Sequence, residues 1–151
     1  MSDLHAADDT TAEGTYSHGP FQELIGYDIV NDAHGVYFRL PIRRDHLNPH
    51  GVLHGGVPLA LLDAMGGRSL VDCTIPETGQ RILSSATVTL TVDFIRGVSA
   101  GVLYATAVPD RIGKSVAFVS VKLTLDALDG DVVSRGIGTY RVYTKSLVKH
   151  V

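Results

Sequence analysis

Cysteine is almost absent from this chain. Cys73 is the only one in 151 residues, so an intrachain disulfide is excluded and a cysteine-based zinc site is not expected. Its apolar neighbours mark it as a small buried hydrophobe rather than a nucleophile. A basic excess is also lacking: thirteen Lys and Arg stand against sixteen Asp and Glu, a formal net charge of −3. That balance argues against a nucleic-acid-binding surface. No apolar run reaches the length of a membrane span. The acidic stretch Met1-Ser2-Asp3-Leu4-His5-Ala6-Ala7-Asp8-Asp9 has no apolar segment of the kind a signal peptide carries. A soluble, cytoplasmic protein is the expectation. Ser69 and Ser84-Ser85 lack the Gly-x-Ser-x-Gly turn of a serine hydrolase, and there is no phosphate loop or dinucleotide fingerprint. Repeats and low-complexity blocks are missing too.

What remains is ordinary globular composition, 44% hydrophobic and 19% charged, enough for one domain with a substantial core. Residues 1–18 are small and polar and read as a mobile arm, leaving 19–151 as the domain. Phe21, Leu24 and Ile25 have helical spacing ahead of Gly26, which predicts a short helical turn. Tyr27–Val30 and Gly35–Ile42 read as a hairpin across Asn31-Asp32-Ala33-His34. Residues 43–56 show no period, and a loop of that length inside a compact domain is often functional.

Val57–Cys73 reads as a helix whose apolar positions surround its axis, the pattern of a buried helix. Strand patterns fill the rest. Leu83–Ile95 alternates, with Ala86, Val88, Leu90, Val92 and Phe94 on one face and Ser85, Thr87, Thr89, Thr91 and Asp93 on the other. Val102–Val108 follows a turn at 97–101. Ser115–Leu125 and Val132–Tyr143 meet across Leu128-Asp129-Gly130-Asp131, whose Asp-Gly pair favours a type I′ turn. The expected fold is α+β, a long antiparallel meander wrapped around one buried helix.

Asp63 sits mid-helix among Leu61, Leu62, Ala64 and Met65. A carboxylate there is costly unless it is paired or used, and periodicity alone does not choose between a structural role, capping a neighbouring loop or pairing with a buried Arg, and a catalytic one. Gly55-Gly56 opens the helix, where free N–H groups at the positive end can stabilise a developing oxyanion; a lone Gly-Gly equally suits a tight turn. His46, His50 and His54 recur every fourth residue, but Pro49 and Gly51 prevent a continuous helix there. No metal site is expected.

The pattern Asn48-x-x-Gly51-x-x-His54-Gly55-Gly56, then six residues, then Asp63 resembles the signature of the hotdog-fold thioesterase superfamily, in particular its phenylacetate-degradation (PaaI-like) branch. The resemblance in element order runs from about Tyr27 to Tyr143. It implies an acyl-CoA thioesterase. Asp63 would be general base or nucleophile, and Gly55 the N–H donor to the thioester carbonyl. Asn48 would orient water, His54 would shape the carbonyl-binding end, and Gly56 would line the substrate site.

Thr87 matches the hydroxyl that the family places near the acid, although a strand-face threonine is more often structural. Gly67 stands where another branch carries a hydroxyl one turn after the acid. Arg111-Ile112-Gly113-Lys114-Ser115 matches the segment that borders coenzyme A; Arg111, Gly113, Lys114 and Ser115 are its candidate ligands, and an ordinary solvated turn is the plain alternative. Coenzyme A is part of the substrate, so no cofactor is implied. The resemblance also implies a homodimer or dimer of dimers, with each site shared between subunits and Asp63 facing the partner's Gly55. A hotdog hydratase and a non-catalytic acyl-CoA-binding domain are the rival readings, since fold alone does not fix function.

Overall fold

The computed structural model describes residues 19–145. The arm expected over 1–18 lies outside the described residues. In chain order the elements are α1 (Pro20–Ile25), β1 (Asp28–Asp32), β2 (Gly35–Pro41), a one-turn 3₁₀ helix (Arg44–His46), α2 (Gly56–Leu70), β3 (Ser84–Phe94), β4 (Val102–Ile112), β5 (Val116–Leu125) and β6 (Val132–Tyr143). The six strands form one antiparallel sheet in the order β1-β2-β4-β5-β6-β3, and α2 packs on one face of it. This is the hotdog arrangement and confirms the α+β expectation.

The core forms where α2 meets the sheet. Leu61, Leu62, Met65 and Leu70 pack in one cluster with Phe38 and Leu40 of β2, Leu103 of β4, and Val119, Val121 and Leu123 of β5. Full burial of each such side chain contributes about 1.5–3 kcal/mol. Close approach of helix and sheet requires a small residue at Gly66. A Cβ there would lie 2.0 Å from Oη of Tyr140, which projects inward from β6 and is 1% exposed.

Several sequence expectations are corrected. The sheet is not a simple meander, because β3 pairs with β6 and not with β4. The chain crosses the end of the sheet through residues 95–101, fastened by Val98, whose carbonyl accepts from Leu53 N–H at 2.8 Å. α2 stops at Leu70, short of Cys73, because Asp72 turns left-handed at φ 73°. It is not buried all round either: Gly56 and Leu59 are exposed and Asp63 half-buried, a strip at i, i+3 and i+7 along one side.

The loop from Leu125 to Val132 is not a type I′ turn. Positive φ falls on Asp126 and on neither Asp129 nor Gly130, whereas type I′ needs it at both central residues. β4 runs to Ile112, four residues past its expected end. In α1 the buried residue is Gln22, whose Nε2 donates to the Tyr27 carbonyl at 3.2 Å, while Phe21 and Leu24 face solvent.

The alternation of β3 is broken. The register slips between Thr87, opposite Tyr140, and Thr89, opposite Thr139, leaving Val88 as an extra residue. A bulge of this kind reverses which side chains face inward beyond it. Ser85 and Thr87 therefore face α2 before the bulge, and Leu90 and Val92 pack on the core after it. The expected all-polar face does not exist.

Candidate active site

α2 carries Asp63 on its uncovered side, and the bulged β3 brings Thr87 to meet it. Thr87 Oγ1 donates to Asp63 Oδ1 at 2.6 Å, the short distance expected when the acceptor is a carboxylate. Tyr140 Oη donates to the Asp63 backbone carbonyl at 3.1 Å, pinning this turn of α2 to β6. Tyr140 had no place among the sequence candidates. Its signal was indirect: consecutive glycines, Gly66 and Gly67, on a buried helix leave room for a large side chain opposite. Among the described residues, no cation pairs with Asp63 and its Oδ2 accepts no hydrogen bond. The structural alternative, an Asp63–Arg pair, is thus not what the fold builds.

At the N-terminal end of α2, His54 and Gly55 organise the helix start. His54 Nδ1 accepts from the Gly56 N–H at 2.9 Å, and the His54 carbonyl accepts from Val57 N–H at 2.9 Å. The side chain of His54 thus acts as a cap for one orphan donor of the helix. The preceding donor, Gly55 N–H, has no partner among the described residues. A Cβ at Gly55 would sit 3.4 Å from Cε1 of Phe94, so an aromatic ring from the end of β3 lies on the Cβ side of this glycine.

Asn48 holds the loop ahead of the helix. Its Oδ1 accepts from His50 N–H at 2.9 Å and Val52 N–H at 3.2 Å, and its own N–H reaches the Val52 carbonyl at 2.7 Å. The side-chain oxygen is thus committed to the backbone, in an Asx-type turn. His46 is buried, with Nδ1 accepting from Arg43 N–H at 3.0 Å and Nε2 2.8 Å from the Ile25 carbonyl. Both ring nitrogens are occupied by backbone. The described residues contain no group of three His, Cys, Asp or Glu placed to hold a metal ion.

Arg111 and Ile112 close β4, and Gly113-Lys114-Ser115 form the turn into β5. Arg111 and Lys114 are exposed. The Gly113 N–H is used by the Val116 carbonyl at 2.9 Å, and Ser115 accepts from Val142 N–H at 3.0 Å. Val142 in turn pairs with Ser85 of β3, so this turn lies at the same end of the sheet as Asp63 and Thr87. Arg81 and Arg96 are engaged elsewhere, in ion pairs with Asp72 and Asp131. Burial, reinforced by the charge of Asp72, pushes the Cys73 thiol above its ordinary range, and the thiol donates to the Ser69 carbonyl at 3.3 Å. Neither property suits a nucleophile. Among the described residues no helix is long and apolar enough to cross a membrane.

The thioesterase superfamily model matches residues 50–127, a span that starts in the Asn48 loop and includes α2, β3, β4 and β5. A candidate esterase of Thermoplasma volcanium is 32% identical over 106 residues, covering 69% of this chain and 72% of the relative. The BH2602 protein of Bacillus halodurans, solved with CoA, superposes with a TM-score of 0.72 at 26% identity, over 87% of this chain and 82% of that one. The PaaI protein of the Escherichia coli phenylacetic acid degradation operon superposes with a TM-score of 0.68 over 85% of this chain and 87% of its own; at 20% identity this likeness shows the fold. On the match to the family model and the identity to this relative, the chain belongs to the thioesterase superfamily and is a thioester hydrolase.

Proposed function

We propose that this protein hydrolyses a small aryl-CoA or a short- to medium-chain acyl-CoA, giving the free acid and CoA, in the manner of the PaaI-like branch. The observation that carries this reading is the state of Asp63: held at one carboxylate oxygen by Thr87, free at the other, and without a counter-cation among the described residues. Such a group accepts a proton from water or attacks a carbonyl directly.

The thioester carbonyl is polarised by the Gly55 N–H at the positive end of α2. Gly55 and Asp63 are eight residues apart, about 12 Å along a helix, whereas one reacting group must lie about 3 Å from both donor and base. One protomer therefore does not supply both to one substrate. The outer edge of β3 supports a second copy as the missing part. It is an eleven-residue edge strand, Ser84–Phe94, without proline or lysine, and such an edge readily pairs with another chain. A homodimer joined there brings a partner to the side of the sheet that holds Asp63, so that each site takes Asp63 and Thr87 from one subunit and Gly55, Gly56 and His54 from the other. Pairing of two such dimers gives the tetramer.

Arg111 and Lys114 attract the nucleotide phosphates as charges, with Gly113 and Ser115 shaping the turn. The free amide nitrogen of Asn48 is the part of that residue left to orient water. Release of CoA from an acyl-CoA panel, followed with a thiol reagent, tests the function. Asp63→Asn lowers turnover by about 10²–10⁴-fold. Equal CoA release by wild type and variant overturns the role of Asp63. An enoyl-CoA consumed without CoA release points instead to a hydratase, and tight binding without turnover to a carrier domain.

A further inference from the structure

A recess of about 480 Å³ opens on the loop ahead of α2, lined by Arg44, Leu47, Asn48, Pro49 and Gly51. Clefts that hold small ligands run from roughly 300 to 1,000 Å³. The loop doubles back on itself to make this one. Gly51 turns left-handed at φ 76°, Leu47 bridges to Leu53, and the His54 N–H donates to the His46 carbonyl at 2.8 Å. The returning side of the loop runs into Gly55, so the recess and the N–H proposed to bind the carbonyl belong to one short segment. Both polar side chains of the lining offer donors. Arg44 is exposed, and its guanidinium makes no ion pair or hydrogen bond with any described residue. Asn48 gives its Oδ1 to two backbone N–H groups, while its Nδ2 donates to no described residue and is open to solvent. No carboxylate lines the recess.

A solvated arginine by itself selects nothing. Here it shares a recess with Asn48, the residue proposed to orient the attacking water. We infer that the recess receives the acyl group and that Arg44 pairs with a carboxylate at its far end, so that the substrate is a CoA monothioester of a short aliphatic or aromatic dicarboxylic acid. The inference rests on the thioesterase reading of Asn48 and Gly55. Because Asn48 borders both the water and the recess, the group that fills the recess lies close to the thioester carbon. The acyl chain meets that condition, whereas the whole pantetheine arm separates the phosphates of CoA from the thioester. Leu47 and Pro49 suit the methylenes or ring between the two ends of the acid. A guanidinium binds a carboxylate through two parallel N–H bonds, and an uncharged end of the same shape gains nothing from it.

Two pairs matched in shape test this: glutaryl-CoA against 5-methylhexanoyl-CoA, and 4-carboxybenzoyl-CoA against 4-isopropylbenzoyl-CoA. For each pair kcat/KM is measured, together with Kd for the non-hydrolysable thioether analogues. In at least one pair the wild type favours the carboxylate compound about three- to tenfold, and the preference shrinks as salt is raised. Arg44→Gln brings that ratio to about one, Arg44→Glu inverts it, and Arg44→Lys keeps part of it.

Equal ratios in wild type, Arg44→Gln and Arg44→Glu overturn the inference. So does a loss in Arg44→Gln that is the same for both members of a pair and disappears with pantetheine thioesters, which assigns Arg44 to the nucleotide of CoA. Hydrolysis without discrimination defeats the recess assignment and leaves the hydrolase reading standing. Discriminating binding of the thioethers without any hydrolysis does the reverse.

Discussion

Thr87 Oγ1 and Asp63 Oδ1 lie 2.6 Å apart, joining the edge strand of the sheet to the middle of its one long helix. The bond restricts rotation of the carboxylate and engages one of its two oxygens. In the proposed reaction Asp63 loses efficiency when the hydroxyl is removed, even though the carboxylate remains.

Thr87→Val keeps the shape of the side chain and deletes the donor. Turnover of the best acyl-CoA falls by about tenfold or more, mainly in kcat, while Thr87→Ser retains most of it. Steady-state kinetics on the three proteins check this. Equal kcat for Thr87→Val and wild type removes Thr87 from the site.

Sharing of the site between subunits is open to a mixing experiment. Gly55 has φ −56°, which proline matches, so Gly55→Pro removes the N–H with little strain and lowers kcat by about 10²–10³-fold. Asp63→Asn is defective for the other half of the site. Unfolded together and refolded, the two variants form heterodimers in half of the assemblies, each with one intact site of two. About a quarter of wild-type activity returns. Sites built within single chains regain nothing.

Stability of the β1–β2 hairpin depends on pH through Asp32. The His34 N–H and then the Tyr37 hydroxyl bond its carboxylate and hold it below the usual range. A carboxyl group with a depressed folded value stabilises the fold above its ordinary value, here 3.8, and loses that contribution as pH falls through the lower folded value. Asp32→Ala therefore lowers Tm at pH 6–7, and the difference from wild type narrows as the pH is taken below the ordinary value. Thermal unfolding of both proteins between pH 2 and 7 checks it; a difference that grows in acid contradicts it.

Much of this protein is local in origin and could be read along the chain. Strand-like runs between turn residues located the six strands, the Gly26 stop ended α1, and the spacing from Asn48 through His54-Gly55-Gly56 to Asp63 pointed to the thioesterase family, because those residues serve one loop and one helix. What the chain order did not contain was the company that side chains keep across the sheet. Regular alternation set Thr87 among residues facing away from Leu90, and only pairing with β6 created the Val88 bulge that puts both on the inner face. The placement of β3 beside β6, and hence of Thr87 beside Asp63, comes from a crossing of the sheet end, which no local pattern encodes. Tyr140 is an ordinary strand residue until the helix arrives over it. The sequence by itself determined which long elements form and set a carboxylate, Asp63, in the middle of the buried helix. The tertiary structure decided what holds that charge, since burial and hydrogen bonding are set by residues far apart in the chain.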